Sequence, residues 1–114
     1  MARSESEAER LRRISILNAR LPRKRAIAQG KLQIGLWSSL SSSYTVEVIA
    51  GAGYDWILLD MEHSPNDLES LLAQLQAAAP YPTHPVVRVP WNDMVTIKRV
   101  LDAGACGVMV PYVN

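Results

Sequence analysis

Residues 56–75 read WILLDMEHSPNDLESLLAQL, and this stretch determines the predicted fold class. The continuous apolar run at residues 56–59 is typical of a strand buried on both faces, as the strands of parallel sheets are. Residues 64–67 have the composition of a helix start. Leucines then follow at i, i+3, i+4 and i+7, namely Leu68, Leu71, Leu72 and Leu75. A buried strand followed by an amphipathic helix predicts one strand–helix unit of an α/β protein.

Similar units lie on both sides of this stretch, at a spacing of roughly 25 residues. Short strands are predicted at residues 33–37, 84–89 and 106–110, the last as a buried strand that Pro111 ends. Because strands alternate with helices, we expect parallel strands joined by right-handed crossovers. An open doubly wound sheet and part of an eightfold barrel both fit this order. No glycine-rich phosphate-binding fingerprint follows the first strand, which favours the barrel.

The other two helices are predicted from their caps and their apolar residues. One of the serines at residues 38–43 begins the first helix, which ends within residues 51–53. This helix carries Tyr44, Val48 and Ala52. Residues 92–93 begin the helix after the third strand, and Gly104 ends it. Its predicted inward residues are Met94, Ile97 and Leu101.

The chain is short for a complete barrel. A TIM barrel has about 250 residues in eight strand–helix units, whereas these 114 residues contain three and a half. We therefore expect an α/β fold, a partial TIM (β/α)8 barrel at residues 32–114. A partial barrel leaves sheet edges unpaired, so we expect the chain to self-associate, to be unstable or to need a complementary piece.

Residues 1–31 form a predicted extension that is basic and partly helical. They hold nine Lys or Arg against three Glu, whereas residues 32–114 hold three basic and eight acidic side chains. A short helix at residues 23–29 is expected to end at Gly30. A narrow apolar stripe predicts a further helix before it, through Leu11, Ile14, Leu17 and Leu21. Basic side chains can bind nucleic acid, but no aromatic residue is interleaved for base stacking, so nucleic-acid binding is not expected.

Several classes of protein are excluded by composition. The single cysteine, Cys106, forms no internal disulfide, which excludes a disulfide-stapled secreted scaffold. No apolar run approaches the ~18–20 residues of a membrane span, so no membrane partner is expected. Residues 1–15 lack the apolar stretch of a secretory signal, and the acidic residues Glu5, Glu7 and Glu9 argue against a transit peptide. The sequence predicts a cytoplasmic protein.

The polar residues that directly follow the second strand are the first candidates for chemistry. Reactive groups of parallel α/β folds lie beyond the carboxyl ends of the strands. Asp60, Glu62 and His63 occupy this position. His63 suits a general base, because the ordinary pKa of an imidazole lies near neutrality and an adjacent carboxylate favours its protonated form. Alternatively, Asp60 caps the following helix and His63 is a solvated loop residue.

Two further charged residues stand out by their positions. Arg88 lies in an otherwise apolar strand, where an unpaired guanidinium is costly. It either pairs with a buried carboxylate such as Asp60 or faces an anionic substrate, and the two interpretations are compatible. Asp102 lies near the end of the third helix, where a negative charge opposes the helix dipole. From the residues alone, Asp102 is an ordinary exposed side chain.

The stretch from about Gln33 to Val113 resembles a known enzyme family. The motifs that carry the resemblance are GLWSSLSSSY, GAGYDWILLDMEHSPND, QLQAAAPYP, HPVVRVPWND and MVPYV, in that order. Together they are similar to the metal-dependent class II pyruvate aldolases, the 4-hydroxy-2-oxoheptanedioate and 2-dehydro-3-deoxyglucarate aldolase type. The family implies a TIM barrel, usually a homohexamer. It also implies cleavage of 4-hydroxy-2-oxo acids to pyruvate and an aldehyde, as in aromatic compound catabolism.

The resemblance also implies roles for single residues. His63 matches the family's acid/base histidine, and Arg88 matches the arginine that binds the keto oxygen and stabilises the enolate. Asp102 matches the aspartate that raises the basicity of the histidine, which replaces the ordinary role above. Asp60 matches an acidic residue beside the histidine, and Trp37 is expected to line the pocket. Met61 departs from the glycine found there in some members.

A divalent cation of the Mg²⁺, Mn²⁺ or Co²⁺ type is also implied, since the family uses one to stabilise the enolate. Its ligands, a Glu and an Asp, match no position in this chain. We therefore expect no independent metal site and no turnover from the chain alone. Three alternatives stay open: an acyl-CoA lyase of the same barrel superfamily, a truncated inactive product that acts only in subunit association, and an interaction module built on the basic extension.

Overall fold

A computed structural model describes residues 6–10 and 22–113, with the backbone alone at Pro22. The chain divides into two compact units, Met1–Gln33 and Ile34–Asn114. The first is called the N-terminal unit below and the second the sheet unit. The predicted stripe of Leu11, Ile14, Leu17 and Leu21 lies outside the described residues.

Within its described residues, 6–10 and 22–33, the N-terminal unit contains two helical segments with recognisable ends. Residues 7–10 are helical, and Ser6 and Glu9 cap this turn reciprocally: the Glu9 N–H donates to Ser6 Oγ (3.2 Å) and the Ser6 N–H to Glu9 Oε2 (3.0 Å). Helix α1 spans Pro22–Ala28. Gly30 follows it with φ +71°, and the Lys31 N–H donates to the Ala26 carbonyl. This Schellman arrangement confirms the prediction that Gly30 ends the helix.

The sheet unit alternates strands and helices in the predicted order. The elements are β1 (Gly35–Ser38), α2 (Ser43–Ala50), β2 (Trp56–Asp60), α3 (Leu68–Ala78), β3 (His84–Arg88), α4 (Met94–Asp102) and β4 (Gly107–Met109). Each helix begins at a side-chain cap that accepts from a backbone N–H three residues later. The caps are Ser42, Asp67 and Asp93, which confirms the predicted helix starts.

The four strands form one parallel sheet in the order β1-β2-β3-β4. Each strand therefore lies beside its predecessor, as in a (β/α)8 barrel. In a doubly wound sheet, by contrast, the spatial order of the strands reverses partway along the chain. This order confirms the predicted α/β fold of partial-barrel type. Gly35 pairs with Trp56, whose indole lies against it so closely that an added Cβ would be 2.0 Å from ring carbons.

One face of the sheet packs against the helices. Ile57 and Leu59 of β2 and Val87 of β3 point into this core, which also contains helix residues Val46, Ala50, Leu71, Leu75, Ala78 and Val100. Successive strand residues point to opposite faces. The other face therefore carries Leu58 and Asp60 of β2 and, by register, Val86 and Arg88 of β3. This second face positions the candidate site.

The structure corrects several predicted apolar faces. Helix α2 turns Val46, Ile49 and Ala50 to the core and leaves Tyr44 and Val48 exposed, while Ala52 lies beyond its end. Two apolar stripes run along this helix, and packing on the sheet selects the i, i+3, i+4 set.

In helix α4 and strand β4, too, the observed burial of apolar residues differs from the predicted burial. Val100 is the fully buried residue of α4 and Ile97 is partly buried, whereas Met94 and Leu101 are exposed. Strand β4 was predicted as buried but is only partly covered. No helix within residues 6–10 and 22–113 is long and apolar enough to cross a membrane.

Candidate active site

Asp60 and Arg88 occupy paired positions at the carboxyl ends of β2 and β3. Both strands are parallel and adjacent, so paired residues point to the same face of the sheet. The Arg88 Nε–H donates to Asp60 Oδ1 (2.9 Å), and Nη2–H donates to Oδ2 (2.6 Å). This two-point geometry is the strong form of a carboxylate–guanidinium contact. The sequence left open whether Arg88 pairs with Asp60, and the structure shows that it does.

Asp60 is almost wholly buried, with 1% of its surface exposed. Hydrogen bonds from Arg88 hold the pKa of this carboxyl far below its ordinary value, outweighing burial, which acts in the opposite direction. The backbone N–H of Glu62 adds a further donor to Oδ1 at 2.9 Å. In turn, the Asp60 carboxylate raises the pKa of Arg88. The pair is therefore ionised on both sides at neutral pH.

Asp60 also shapes the loop that carries His63. Its Oδ1 accepts from the His63 N–H (3.4 Å), and its carbonyl accepts from Ser64 Oγ and from Asn66 Nδ2 (2.7 Å). The helix that follows is capped by Asp67, not by Asp60. The alternative in which Asp60 caps that helix is therefore wrong, and Asp60 instead organises residues 61–66.

Trp37 approaches the ion pair from β1. Its Nε1–H points at Asp60 Oδ2 (3.4 Å), and the guanidinium carbon of Arg88 lies 4.7 Å from the centre of the indole ring. A guanidinium at this distance is attracted by the face of an indole. Trp37 thereby covers one side of Arg88 and remains 44% exposed on its outer side.

Glu62 joins Arg88 to His63. Its Oε1 lies 3.3 Å from Arg88 Nη1 and 3.1 Å from His63 Nε2. The side chain of Glu62 is 11% exposed, whereas that of His63 is 68% exposed. The sequence predicts that an adjacent carboxylate favours the protonated form of His63, but it does not predict the contact of Glu62 with Arg88. The available signal was the position of Glu62 directly before the predicted base.

Asp102 lies apart from these contacts. It is the last residue of α4, its side chain is 68% exposed, and its carboxylate pairs with Lys98 Nζ at 3.2 Å in an i, i+4 arrangement. Within the described part of the chain, no contact joins Asp102 to His63. The role that the family resemblance implies for Asp102 stays a prediction.

An aromatic pair at the same end of the sheet was missed by the sequence reasoning. Trp91 follows β3 and Tyr112 follows β4, and their ring centres lie 4.6 Å apart at 35°. Tyr112 has φ +56°, a left-handed conformation that non-glycine residues rarely adopt. Both rings are more than half exposed. The signal in the sequence was the recurrence of an aromatic residue shortly after two successive strands.

The described residues do not fit a metal site by themselves. Across residues 6–10 and 22–113, no three His, Cys, Asp or Glu side chains are grouped so that they could hold a metal ion. Both oxygens of Asp60 already accept from Arg88, and Oε1 of Glu62 is shared between Arg88 and His63.

The remaining capacity of the site lies with Arg88 and His63. A guanidinium has five N–H donors, and contacts with Asp60 and Glu62 account for three of them. Two N–H groups are left to donate to an oxygen of a ligand. The exposed imidazole beside them can exchange a proton with solvent or ligand. An oxyanion donor next to an acid/base group is the combination that enolate chemistry requires.

This chain is similar to proteins of a known family. The model of the HpcH/HpaI aldolase/citrate lyase family matches residues 33–114. The 4-hydroxy-2-oxo-heptane-1,7-dioate aldolase of Escherichia coli is 57% identical over 91 residues, which is 80% of this chain and 35% of that protein. The chain thus spans about a third of the length of the curated relatives it matches.

Solved structures agree with the observed fold. An HpcH/HpaI aldolase/citrate lyase family protein from Burkholderia cenocepacia superposes with a TM-score of 0.68 at 48% identity, covering 71% of this chain and 33% of that one. The citrate synthase SbnG superposes with a TM-score of 0.73 at 36% identity, covering 79% of this chain and 37% of that one.

Proposed function

The chain belongs to the HpcH/HpaI aldolase/citrate lyase family, and we propose that it contributes its site to the reversible aldol cleavage of 4-hydroxy-2-oxo acids. The products are pyruvate and an aldehyde. The observation that carries the proposal is the Arg88 guanidinium, held by Asp60 with two N–H donors left beside the His63 imidazole. The named relative in Escherichia coli supports the substrate class.

The reaction breaks the bond between C3 and C4 of the substrate. A base removes the proton from the C4 hydroxyl, and the C3–C4 electron pair passes to the keto group as the enolate of pyruvate. A proton then returns to C3. His63 supplies the acid/base group, and the free N–H donors of Arg88 stabilise the negative charge that develops on the keto oxygen. In the reverse direction the same groups support addition of the enolate to the aldehyde.

Three further residues are proposed to support His63 and Arg88. Asp60 keeps Arg88 oriented, since both oxygens of the carboxylate bind the guanidinium. Trp37 covers the side of Arg88 that faces β1 and forms one wall of the site. Asp102 is proposed to raise the basicity of His63. A divalent cation of the Mg²⁺, Mn²⁺ or Co²⁺ type and assembly into a homohexamer also remain proposals.

The described residues do not form a metal site. We therefore expect little pyruvate release from the chain assayed alone with added Mn²⁺. Appreciable turnover under these conditions would contradict this expectation and show that residues of this chain complete the site.

The proposed roles of the site residues are tested in a chimeric protein. Residues 33–114 replace the matching stretch of the Escherichia coli relative, and pyruvate release from a 4-hydroxy-2-oxo acid is measured. The chimera is expected to cleave the substrate, and H63A and R88K to reduce kcat by about 10²-fold or more. The matched control is H84A, because His84 lies at the opposite end of β3. A folded chimera without activity, or one indifferent to H63A, would contradict the proposed roles.

A second candidate is favoured by the structural likeness to a citrate synthase. In this alternative the enolate belongs to an acyl-CoA thioester instead of pyruvate, and the protein is an acyl-CoA lyase of the same superfamily. Cleavage of a 3-hydroxyacyl-CoA by such a lyase gives a carbonyl compound and a shorter acyl-CoA, with the thioester intact. The same chimera distinguishes the two, since chromatography detects the shorter acyl-CoA and a pyruvate assay does not. Formation of the shorter acyl-CoA without release of pyruvate would favour the second candidate.

A further inference from the structure

Glu62 places a single carboxylate oxygen between the two groups assigned to the chemistry. Oε1 lies 3.1 Å from His63 Nε2 and 3.3 Å from Arg88 Nη1. The carboxylate is 11% exposed and the imidazole 68% exposed. One oxygen of a largely buried carboxylate therefore lies at ion-pair distance from one nitrogen of a largely exposed ring.

We propose that Glu62 is a positioning residue that fixes which nitrogen of His63 exchanges protons with the substrate. This inference rests on the proposed function. An ionised carboxylate only accepts hydrogen bonds, and a neutral imidazole has one N–H and one lone pair. The nitrogen that faces Glu62 is therefore the donor, Nε2–H. The lone pair lies on Nδ1, and Nδ1 is the atom that takes the proton from the C4 hydroxyl.

Glu62 can perform this role because two contacts fix it independently of His63. Its backbone N–H donates to Asp60 Oδ1 (2.9 Å), and its carboxylate binds Arg88. Both partners belong to the buried ion pair at the ends of β2 and β3. The orientation of an exposed loop histidine is thus tied to the strands of the sheet.

Charge also favours the arrangement. Asp60 and Glu62 carry two negative charges against the one positive charge of Arg88, so the cluster has a net charge of −1 while His63 is neutral. Protonation of His63 during the reaction brings that net charge to zero. The imidazolium formed by proton transfer then faces a carboxylate already in contact with it, which is the role of the orienting acid in catalytic triads.

The test measures the tautomer of His63 directly. The chain has two histidines, His63 and His84. Labelling both imidazoles with ¹⁵N gives two sets of ring resonances at alkaline pH, where imidazoles are neutral. In the unmodified chain the His63 resonances are expected at the positions of a fixed Nε2–H tautomer. In E62A and E62D they are expected to move towards those of free histidine, in which both tautomers exchange. Asp at this position lacks the reach to contact both partners.

Controls separate positioning from general loss of structure. E62Q keeps an acceptor oxygen and is expected to retain the tautomer, while E69Q changes an exposed glutamate of α3 and is expected to leave His63 unchanged. The His84 resonances report folding in every variant, and E62D decides the question if E62A unfolds. Unchanged His63 resonances in a folded E62A or E62D would overturn the proposal. The measurement needs no turnover, so inactivity of the chimera would count against the proposed function alone.

Discussion

The middle of the sheet and its β4 edge use similar residues with different results. In β2 and β3, Leu58, Leu59 and Val87 are buried, and Asp60 is buried with them while its partner Arg88 is partly buried. At the β4 edge, Met109 of β4 is 40% exposed and Leu101 of α4 is 49% exposed. An apolar pattern therefore predicts a strand or a helix, but burial depends on which neighbours the residue meets.

The largest effect expected from this comparison is the loss of Asp60. D60A leaves the Arg88 guanidinium in a largely buried position without its two-point partner, and breaking a buried ion pair costs about 3–5 kcal/mol. Chemical denaturation followed by tryptophan fluorescence measures the free energy of unfolding. The matched control is D102A, whose ion pair is exposed. Equal effects of D60A and D102A would show that the buried pair contributes no more than a surface one.

The edge region is probed by two adjacent residues of α4. Val100 is fully buried and Leu101 is about half exposed. V100A is expected to cost about 2 kcal/mol, from lost burial and the cavity left behind, and L101A less than about 1 kcal/mol although it removes a larger side chain. The same denaturation experiment gives both values. A larger effect for L101A would mean that Leu101 is covered in solution.

The sequence predicted the middle of the sheet better than its edge for a physical reason. An apolar run such as residues 56–59 has one way to be buried in a parallel sheet, and a charge such as Arg88 within a strand requires a partner at the paired position. Helices α2 and α4 each offer more than one apolar stripe. Which stripe faces the sheet depends on the direction in which the helix leaves the preceding loop, and that direction is not encoded in the periodicity.

The contacts of the candidate site also fall into some that the sequence anticipates and some that it does not. The Asp60–Arg88 contact was one of two interpretations that the strand positions left open, whereas the bridge through Glu62 was not predicted. Adjacent residues such as Glu62 and His63 point in different directions unless the loop turns tightly between them. Here the turn is held by local hydrogen bonds from the Glu62 and His63 N–H groups to Asp60 Oδ1, and that carboxylate is held in turn by Arg88 of the neighbouring strand. The Trp91–Tyr112 pair likewise depends on the left-handed backbone at Tyr112. A tyrosine at that position does not predict this backbone conformation.

A smaller effect is expected from acid. Because the pKa of Asp60 is lower in the folded chain than its ordinary value, the folded state holds this carboxylate ionised more strongly than the unfolded state does. Its contribution to stability is fully present above about pH 4, near the ordinary pKa of an aspartate, and declines as the pH falls towards the folded-state value. Thermal melts between about pH 7 and pH 3 measure this decline. D60N is expected to flatten it, and an unchanged slope in D60N would contradict the assignment.

The smallest effect on stability is expected at Asp102, and this makes the residue informative about function. Its ion pair with Lys98 is exposed at both ends, so D102N is expected to change the free energy of unfolding by no more than about 0.5 kcal/mol. The role implied by the family requires instead that D102N lowers kcat of the chimera by about 10-fold or more, since His63 loses a group that raises its basicity. A variant that keeps its stability and loses turnover would establish a chemical role that contacts within the described chain do not provide. A variant that keeps both would show that Asp102 is an ordinary surface residue.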